Sequence, residues 1–214
     1  MNPQIASLRQ EYAAQVLLEE DAHADPLGQF ARWWDQAIQS QIVEPNAMTL
    51  ATASCDGFPS ARIVLLKGFD HRGFVFYTNY QSFKGMQLQE NPKACLVFFW
   101  KELERQVRVT GLVSKLDALE SDAYFLSRPE GSRLGAWASP QSTVVESRAW
   151  LDTRYADLVR EAKEKVAVRP PHWGGYLVKP VIVEFWQGRP SRLHDRLQYT
   201  MEENGGWKLE RLAP

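Results

Sequence analysis

Hydrophobic and polar residues alternate over much of the chain beyond residue 47, a pattern typical of half-buried β-strands. Turns that contain glycine, such as Asp56-Gly57, separate several of the alternating segments and indicate hairpins. The predicted strands are residues 48–53, 60–66, 73–78, 94–100, 105–115, 175–186, 196–201 and 207–211. Short strands that follow one another along a chain favour an antiparallel barrel or sandwich. We therefore predict a mainly β fold with α additions.

Apolar residues at helical spacing predict several helices around these strands. A first helix is predicted over residues 3–20, and a second begins where Asp25 can act as the N-cap and Pro26 fits the first turn. We expect these N-terminal helices, within residues 1–45, to pack on the β region. Further helices are predicted over residues 82–90, 117–129 and 146–166, and a loop rich in small and polar residues over 135–142.

The composition is that of an ordinary globular protein and narrows the functional classes. The chain has 214 residues and a formal net charge of −1, which suits one domain and argues against a general nucleic-acid or membrane surface. Cys55 and Cys95 are the only cysteines, so neither a disulfide framework nor a cysteine-rich metal site is expected. No signal peptide and no apolar run long enough to span a bilayer is apparent, so we expect a cytoplasmic protein without a metal.

The segment Glu184–Arg196 concentrates side chains that could bind a ligand. It leaves an apolar strand, breaks at Gly188 and Pro190, and then places Arg192, His194 and Arg196 at alternate positions. In an extended chain these three side chains would share one face and repel one another unless an anion or a polar ligand lay among them. Trp186 could stack on a flat ring. A solvated hairpin with a charged outer face explains the same pattern, and both interpretations stay open at this point.

Two other stretches carry groups suited to phosphate. Arg62 and Lys67 flank a buried strand, although strict alternation would put them on opposite faces. Ser82 is a plausible N-cap of a helix whose free backbone N–H groups, with Thr78 and Lys84, would suit an anion. Neither G-x-G-x-x-G nor G-x-x-x-x-G-K-[ST] occurs, so a nucleotide-binding site of either type is not expected.

Two more side-chain groups are candidates on grounds of spacing alone. In Arg105–Gly111, Gln106 alternates with buried-type valines and could hydrogen-bond a ligand edge or water. Tyr124 and Arg128 are four apart on one helix face, with Ser132 just beyond the Pro129 turn.

The stretches together resemble the pyridoxine/pyridoxamine 5′-phosphate oxidase family. The resemblance rests first on Arg62–Lys67 and on Trp186-Gln187-Gly188 followed by Arg192-Leu193-His194-Asp195-Arg196. It extends through nearly the whole chain in the right order and includes Asp25-Pro26-Leu27, Phe76-Tyr77-Thr78-Asn79, Leu103-Glu104-Arg105-Gln106-Val107, Ser127-Arg128-Pro129, Gly135-Ala136-Trp137, Gln141-Ser142, Trp173-Gly174-Gly175 and Arg211-Leu212-Ala213-Pro214.

The resemblance implies a single domain over residues 1–214, a split antiparallel β-barrel flanked by helices. It further implies a homodimer that binds FMN in clefts between subunits and oxidises pyridoxine or pyridoxamine 5′-phosphate to pyridoxal 5′-phosphate. In such enzymes O₂ reoxidises the flavin and gives H₂O₂. Residues 1–20 would then include a segment that can close over the bound substrate.

The resemblance also implies roles for individual residues. The FMN contacts would fall on Arg62, Ile63, Val64, Leu65, Leu66, Lys67, Tyr77, Thr78, Lys84, Gln106, Gln141, Ser142, Trp186 and Arg196. The substrate contacts would fall on Arg9, Tyr12, Lys67, Tyr124, Arg128, Ser132, Arg192, Leu193 and His194. We hypothesise that Arg192 and His194 are the catalytic pair, with Arg192 fixing the pyridine ring and His194 orienting the substrate and assisting proton movement.

One position departs from the family pattern. The family usually has Ser-Arg-Lys where this chain has Ser82-Phe83-Lys84, so a cation beside the FMN phosphate is missing and we predict weaker FMN retention. Two other functions remain alternatives. An FMN-dependent reductase on the same barrel would share the FMN residues, and a non-enzymatic flavin or pyridoxal-phosphate carrier would share the phosphate pockets.

Overall fold

The computed structural model describes residues 11–161 and 168–214, which form nine strands and five α-helices. The helices are α1 (Pro26–Gln39), α2 (Phe83–Glu90), α3 (Ala118–Ser127), α4 (Glu130–Ala138) and α5 (Arg148–Glu161). The strands are β1 (Ala47–Ala53), β2 (Pro59–Leu65), β3 (Gly68–Asp70), β4 (Gly73–Asn79), β5 (Lys93–Trp100), β6 (Arg105–Lys115), β7 (Trp173–Gln187), β8 (Asp195–Met201) and β9 (Trp207–Arg211). Short 3₁₀ turns occur at Glu19–Asp21, Lys101–Leu103 and Pro190–Arg192.

The chain divides into two compact units, and four long strands contribute residues to both. Unit 1 comprises the residues up to Thr49, Cys95–Thr110 and Pro180–Pro214, and unit 2 comprises Leu50–Ala94 and Gly111–Lys179. The strand order is β2-β1-β5-β6-β7-β4-β3, with β8 paired to β7 and β9 to β8. The pairs β3–β4, β4–β7, β7–β8 and β8–β9 are antiparallel.

Unit 1 has an aromatic core in which α1 packs on the strands. Phe30 lies 5.0 Å from Phe98 between ring centroids, and Trp33 meets Phe185 edge to face at 5.2 Å. The side chain of Asp25 accepts hydrogen bonds from two backbone N–H groups of the first turn, so the predicted cap of α1 is confirmed.

Unit 2 surrounds β4, whose residues are almost all buried. The N-cap of α2 is Ser82, as predicted, and the N-cap of α3 is Asp117, whose carboxylate accepts from the Glu120 N–H. A separate small cluster joins α4 to α5 through Leu134, Ala138 and Leu158.

The predicted strands are confirmed to within one or two residues at either end, and the short β3 was not foreseen. In β6 the predicted alternation also holds, because Val107 and Val109 are fully buried while Gln106 is partly exposed. The predicted helix over residues 3–20 is wrong where it can be compared. Residues 11–18 are not helical, and residues 3–10 lie outside the described part of the chain.

Two further predictions need correction. Residues 135–138 were expected in a loop but form the last turn of α4. The predicted helix over 146–166 is observed from Arg148 to Glu161 as α5, and residues 162–166 of the prediction lie outside the described part of the chain. None of the described helices combines the length and the apolar character that crossing a bilayer requires.

Candidate functional site

A cationic cavity of about 790 Å³ lies within unit 2. Twelve of the residues predicted to bind FMN or substrate line it: Arg62, Ile63, Val64, Leu65, Lys67, Tyr77, Thr78, Lys84, Tyr124, Arg128, Ser132 and Gln141. Its volume is in the range of sites for small molecules and cofactors. Residues predicted from separate stretches of the sequence therefore line one cavity.

The end of β2 explains how Arg62 and Lys67 reach the same cavity. The strand stops at Leu65, so the alternation that would oppose the two side chains does not extend to Lys67. The Lys67 backbone N–H instead donates to the Val75 carbonyl at 2.8 Å. Leu66, which was predicted to contact FMN, is buried with 4% of its surface exposed and does not line the cavity.

Lys84 is a buried cation held by neutral acceptors. Its Nζ donates to Thr78 Oγ1 at 3.2 Å, Ser82 Oγ at 3.3 Å and Gln141 Oε1 at 3.1 Å. Burial, with a smaller contribution from the charge of Arg62, lowers the pKa of Lys84 to about 8. The ammonium therefore lies beside a second cation, and no carboxylate of the described residues pairs with it.

Arg62 is held by uncharged groups of the neighbouring strand β1. Its Nη1 donates to Thr52 Oγ1 at 2.6 Å and to the Leu50 carbonyl at 3.2 Å. Burial lowers the pKa of Arg62 as well, although a guanidinium stays charged at physiological pH.

The charges in the cavity are all of one sign. Arg62, Lys67, Lys84 and Arg128 line it, and none of the described lining residues is Asp or Glu. Cations brought together without a counter-charge repel one another, and an anion among them would be bound strongly. The donor set therefore fits a phosphorylated ligand such as FMN or a phosphorylated substrate.

A stack of aromatic rings supports the part of the cavity that Arg128 lines. The rings of Tyr77 and Tyr124 stack at 3.9 Å, and Trp173 stacks on Tyr77 at 5.5 Å. The guanidinium carbon of Arg128 lies 4.6 Å from the ring centroid of Trp173. Arg128 Nη1 is buried and has no hydrogen-bond partner among the described residues. A buried, unsatisfied N–H group is costly, which supports an anionic ligand here.

A second group of predicted residues lies together in unit 1. The ring of Trp186 is 4.7 Å from His194 and 5.7 Å from Tyr12, and Tyr12 is 5.9 Å from His194. Gly188 permits this approach, because a Cβ at that position would lie 2.7 Å from the Tyr12 Cβ. Trp186, His194 and Tyr12 therefore form one cluster of rings, which the sequence did not predict.

The environment of His194 determines which ring nitrogen carries the proton in the neutral form. The backbone N–H of Arg189 donates to His194 Nδ1 at 3.1 Å, so the neutral ring carries its proton on Nε2. Burial, and then the charge of Arg192, lower the pKa of His194, while Asp195 opposes the shift. A neutral ring that donates through Nε2 is thus the favoured form near neutral pH.

Arg192 and Leu193 do not lie on an extended strand, so the predicted alternation across residues 192–196 is wrong. Residues Pro190–Arg192 form a 3₁₀ turn in which Ser191 has φ 57° and Arg192 has φ 62°. Strand β8 begins only at Asp195. Arg192 is exposed, and its side chain has no hydrogen bond or ion pair with any described residue.

Arg196 and Gln106, both predicted to contact FMN, are in unit 1. Arg196 is engaged by the protein, since its Nε donates to Glu184 Oε1 at 2.9 Å and its Nη1 to the Ala213 carbonyl at 2.7 Å. The ion pair raises the pKa of Arg196. Ser142 is exposed with φ 70° and does not line the unit 2 cavity. Arg9 lies outside the described residues.

Several lining residues were not predicted to act in the site: Asn79, Pro129, Gly135, Ala136, Ser139 and Trp173. Of these, Trp173 contacts three of the predicted residues, Tyr77, Tyr124 and Arg128. The sequence offered one signal for it, since an aromatic residue directly precedes Gly174-Gly175. The contact with Tyr124 and Arg128 could not be predicted, because some fifty residues separate them from Trp173 along the chain.

Comparison with known proteins connects these two groups of residues with a family. Residues 34–158 match the family described as pyridoxamine 5′-phosphate oxidase, and residues 173–214 match the pyridoxine 5′-phosphate oxidase C-terminal dimerisation region. This chain belongs to the pyridoxine/pyridoxamine 5′-phosphate oxidase family.

Relatives in this oxidase family match the chain over its whole length. The pyridoxine/pyridoxamine 5′-phosphate oxidase of Bordetella petrii is 58% identical over 98% of this chain and 99% of that protein. The protein of the same name from Nostoc punctiforme is 55% identical over 100% of both chains.

Among solved structures, PhzG from Burkholderia lata 383, in complex with tetrahydrophenazine-1-carboxylic acid, aligns with a TM-score of 0.88 at 32% identity. The alignment covers 94% of this chain and 99% of PhzG. The predicted fold class, that of the split-barrel oxidases, is confirmed by this likeness.

Proposed function

We propose that this oxidase converts pyridoxamine 5′-phosphate and pyridoxine 5′-phosphate to pyridoxal 5′-phosphate, with FMN as the cofactor and O₂ as the final electron acceptor. The cavity of unit 2 carries the proposal, because its cations lie on separate elements and no described lining residue neutralises them. Full-length relatives named for this activity support the same substrates. Two phosphorylated ligands need two sets of donors, and the cavity offers both.

The first set suits the phosphate of FMN. Arg62, Lys84 and Thr78 supply a guanidinium, an ammonium and a hydroxyl, and Gln141 holds the ammonium in place. The strand residues Ile63–Leu65 line the same cavity and offer apolar contact to a flat ring. Bound FMN would accept two electrons from the substrate and pass them to O₂, which gives H₂O₂; with the amine substrate, water would also be consumed and ammonia released.

The second set suits the phosphate of the substrate. Arg128, Lys67, Tyr124 and Ser132 contribute charge and hydroxyl groups from α3, α4 and the end of β2. Arginine binds phosphate well because its planar fork donates two parallel hydrogen bonds. Arg128 is the strongest candidate, since one of its buried nitrogens lacks a partner among the described residues.

The unit 1 residues would act on the substrate ring. Arg192, with its exposed and unengaged guanidinium, is placed to hold the substrate's oxygen or amine. His194, which is neutral with its proton on Nε2, would orient the substrate by donating a hydrogen bond. This refines the expectation that His194 moves a proton, because Nδ1 is already occupied by a backbone donor.

We also propose a homodimer with FMN in clefts between the subunits. The matched dimerisation region, residues 173–214, includes Trp186, Arg192, His194 and Arg196. A substrate-ring group located in a dimerisation segment is the arrangement expected of a site shared between subunits. The unpaired cysteines Cys55 and Cys95 suit a reducing cytoplasm, which we propose as the compartment.

One assay tests the reaction. The yellow holoprotein is incubated in air with pyridoxamine 5′-phosphate while pyridoxal 5′-phosphate and H₂O₂ are measured. We expect both products. Flavin reduction only by a nicotinamide nucleotide would indicate a reductase, and the absence of both reactions would indicate a carrier. An Arg192→Ala variant with wild-type turnover would refute the role given to Arg192.

A complementation experiment tests the shared site. Arg128→Ala and Arg192→Ala subunits, each far less active than wild type at a substrate concentration well below the KM of the variants, are unfolded together and refolded as a mixture. If each site takes Arg128 from one subunit and Arg192 from the other, half of the dimers contain one intact site. The mixture should then recover about a quarter of wild-type activity, as C₂ symmetry requires. No recovery would show that both residues act from one subunit.

A further inference from the structure

We propose that Trp173 is a positioning residue for the substrate phosphate, acting through Arg128. This proposal rests on the proposed function, in which Arg128 binds that phosphate. Trp173 belongs to the motif Trp173-Gly174-Gly175 but was given no role in the site, and 7% of its surface is exposed. Its indole forms part of the cavity wall.

The first observation is the way in which Arg128 is held. Its guanidinium carbon lies 4.6 Å from the centre of the Trp173 ring and 5.9 Å from that of Phe125. A tryptophan face is the best aromatic partner for a cation, and the attraction grows when water is excluded. The described residues therefore hold this cation by ring faces.

The second observation is the nitrogen that this arrangement leaves unused. Arg128 Nη1 is buried and has no hydrogen-bond partner among the described residues. When a guanidinium lies over a ring face, the attraction acts across the flat face of the guanidinium. Its N–H groups point outward within its own plane and stay available for hydrogen bonds. A carboxylate would occupy those same N–H groups and compete with a phosphate.

A neighbouring arginine shows the alternative arrangement. Arg169 Nε donates to Asp122 at 2.6 Å, and its Nη1 donates to the Trp173 carbonyl. Arg169 is thus neutralised and serves to anchor the Trp173 backbone, whereas Arg128 is not neutralised. The difference indicates that the N–H groups of Arg128 remain available to bind an anion.

The third observation is the rigidity of the platform. Trp173 is the first residue of β7 and pairs with Asn79 of β4. Its ring stacks on Tyr77 at 5.5 Å and on Tyr124 at 6.2 Å, and Phe125 meets it edge to face at 5.4 Å. A ring fixed on several sides holds Arg128 in one position and lowers the entropy lost when the phosphate binds.

The test uses holoenzyme variants and three readouts: KM and kcat for pyridoxamine 5′-phosphate, and the inhibition constant of inorganic phosphate. We expect Trp173→Leu to raise KM and the phosphate inhibition constant together by about tenfold, with kcat within about twofold of wild type. Trp173→Phe keeps a weaker aromatic face and should raise both constants by roughly threefold. Because it preserves a ring, this variant carries the test if Trp173→Leu does not fold.

A double-mutant cycle separates positioning from general damage. In an Arg128→Met background, Trp173→Phe should change KM by less than about 1.5-fold, because the group it positions is gone. A merely structural role would give the same threefold effect in both backgrounds and would overturn the proposal. Unchanged phosphate inhibition in both single variants of Trp173 would overturn it as well.

Trp150→Phe is a matched control. The guanidinium carbon of Arg154 lies 5.5 Å from the Trp150 ring, so the same type of contact is weakened on α5, outside the residues that line the cavity. KM and phosphate inhibition should stay at wild-type values. A wild-type holoenzyme that forms no pyridoxal 5′-phosphate would refute the proposed function instead, so the two failures can be distinguished.

Discussion

The protonation of Lys84 should make FMN binding depend on pH. Burial lowers the pKa of this ammonium to about 8 in the protein without its ligand. A phosphate dianion favours the charged form, so the protein must bind a proton at Lys84 when FMN binds above that pH. The affinity for FMN should therefore fall as the pH rises through 8.

The size of the effect follows from the fraction of Lys84 that is protonated. At pH 7 almost all of it is charged, and at pH 9 only about a tenth is, given a pKa of about 8. The dissociation constant of FMN should rise by about tenfold between these pH values, equivalent to about 1.4 kcal/mol.

The assay is quenching of flavin fluorescence when FMN is titrated with apoprotein at pH 7, 8 and 9. Lys84→Arg should abolish the pH dependence, because a guanidinium stays charged throughout this range. Lys93→Met, which removes an exposed lysine from β5, should keep it. Riboflavin, which lacks the phosphate, should bind the wild-type protein without this dependence.

Two results would refute the reasoning. A dissociation constant for FMN that is unchanged between pH 7 and pH 9 would show that Lys84 does not contact the phosphate or keeps an ordinary pKa. A pH dependence that persists in Lys84→Arg would assign the titration to another group.

The same group has the opposite effect on the stability of the apoprotein. The folded pKa of Lys84, about 8, lies below the value of 10.5 for a free lysine, so between these values the unfolded chain binds more protons. The free energy of unfolding should therefore rise as the pH increases from 8 to 10.5, and below pH 8 the buried charge exerts its full cost. The contribution is at most about 3 kcal/mol.

Three further predictions concern residues around the two groups. Phe83→Arg should tighten FMN binding by roughly tenfold, because it adds a cation at the first residue of α2, and an unchanged dissociation constant would contradict the family-based expectation. Glu104→Ala should release Tyr12 from the ring cluster, because this carboxylate accepts the two backbone N–H groups that follow Tyr12, at 2.8 and 2.9 Å. Limited proteolysis near residue 12 should become roughly tenfold faster, whereas Glu104→Gln should keep most of the protection. Glu184→Gln should lower the free energy of unfolding by about 1–2 kcal/mol in urea denaturation, since Arg196 loses its buried partner; an unchanged midpoint would show that the pair contributes nothing.

The strands and the caps were predictable because they depend on nearby residues. Alternation along β6 defines its buried face, and the oxygen of Asp25 satisfies donors only two and three residues away. The cavity was largely predictable for a different reason. The cations belong to motifs that follow one another along the chain in the order typical of the family. Their spacing in the sequence does not show that they line the same cavity.

Residues 11–18 were mispredicted because their partners are distant in sequence. Apolar residues at helical spacing suggested a helix, but the backbone N–H groups of Ala13 and Ala14 bond to Glu104, and that of Leu17 bonds to Asp195. These carboxylates replace the intrahelical acceptors. Tertiary contacts of this kind override local preference and leave no local signal.

The turn before β8 was mispredicted for a conformational reason. Ser191 and Arg192 both have positive φ, a region that non-glycine residues enter at a cost of about 1–3 kcal/mol, so the sequence favoured an extended chain. The turn removes Arg192 from the face that alternation would have given it. Arg192 is proposed to touch the substrate, so strain at this residue is consistent with selection for its position. Substitution of Ser191 by glycine should relax the turn and leave the Arg192 side chain in the site.

The cavity and the turn share one physical property, which is that neither is optimal for the stability of the protein alone. Lys84 is buried and Arg128 is half-buried among neutral groups, and burial lowers the pKa of each. A phosphate that binds Lys84 would favour its charged form, and one that binds Arg128 would compensate a charge that is always present, so both would stabilise the folded chain by mass action. FMN should therefore raise the melting temperature most at a pH below 8, where the uncompensated charge of the apoprotein is greatest and the ligand affinity is highest. The cavity cations and the strained turn are the features that local sequence rules predict least well. They are also the features that a bound ligand would stabilise.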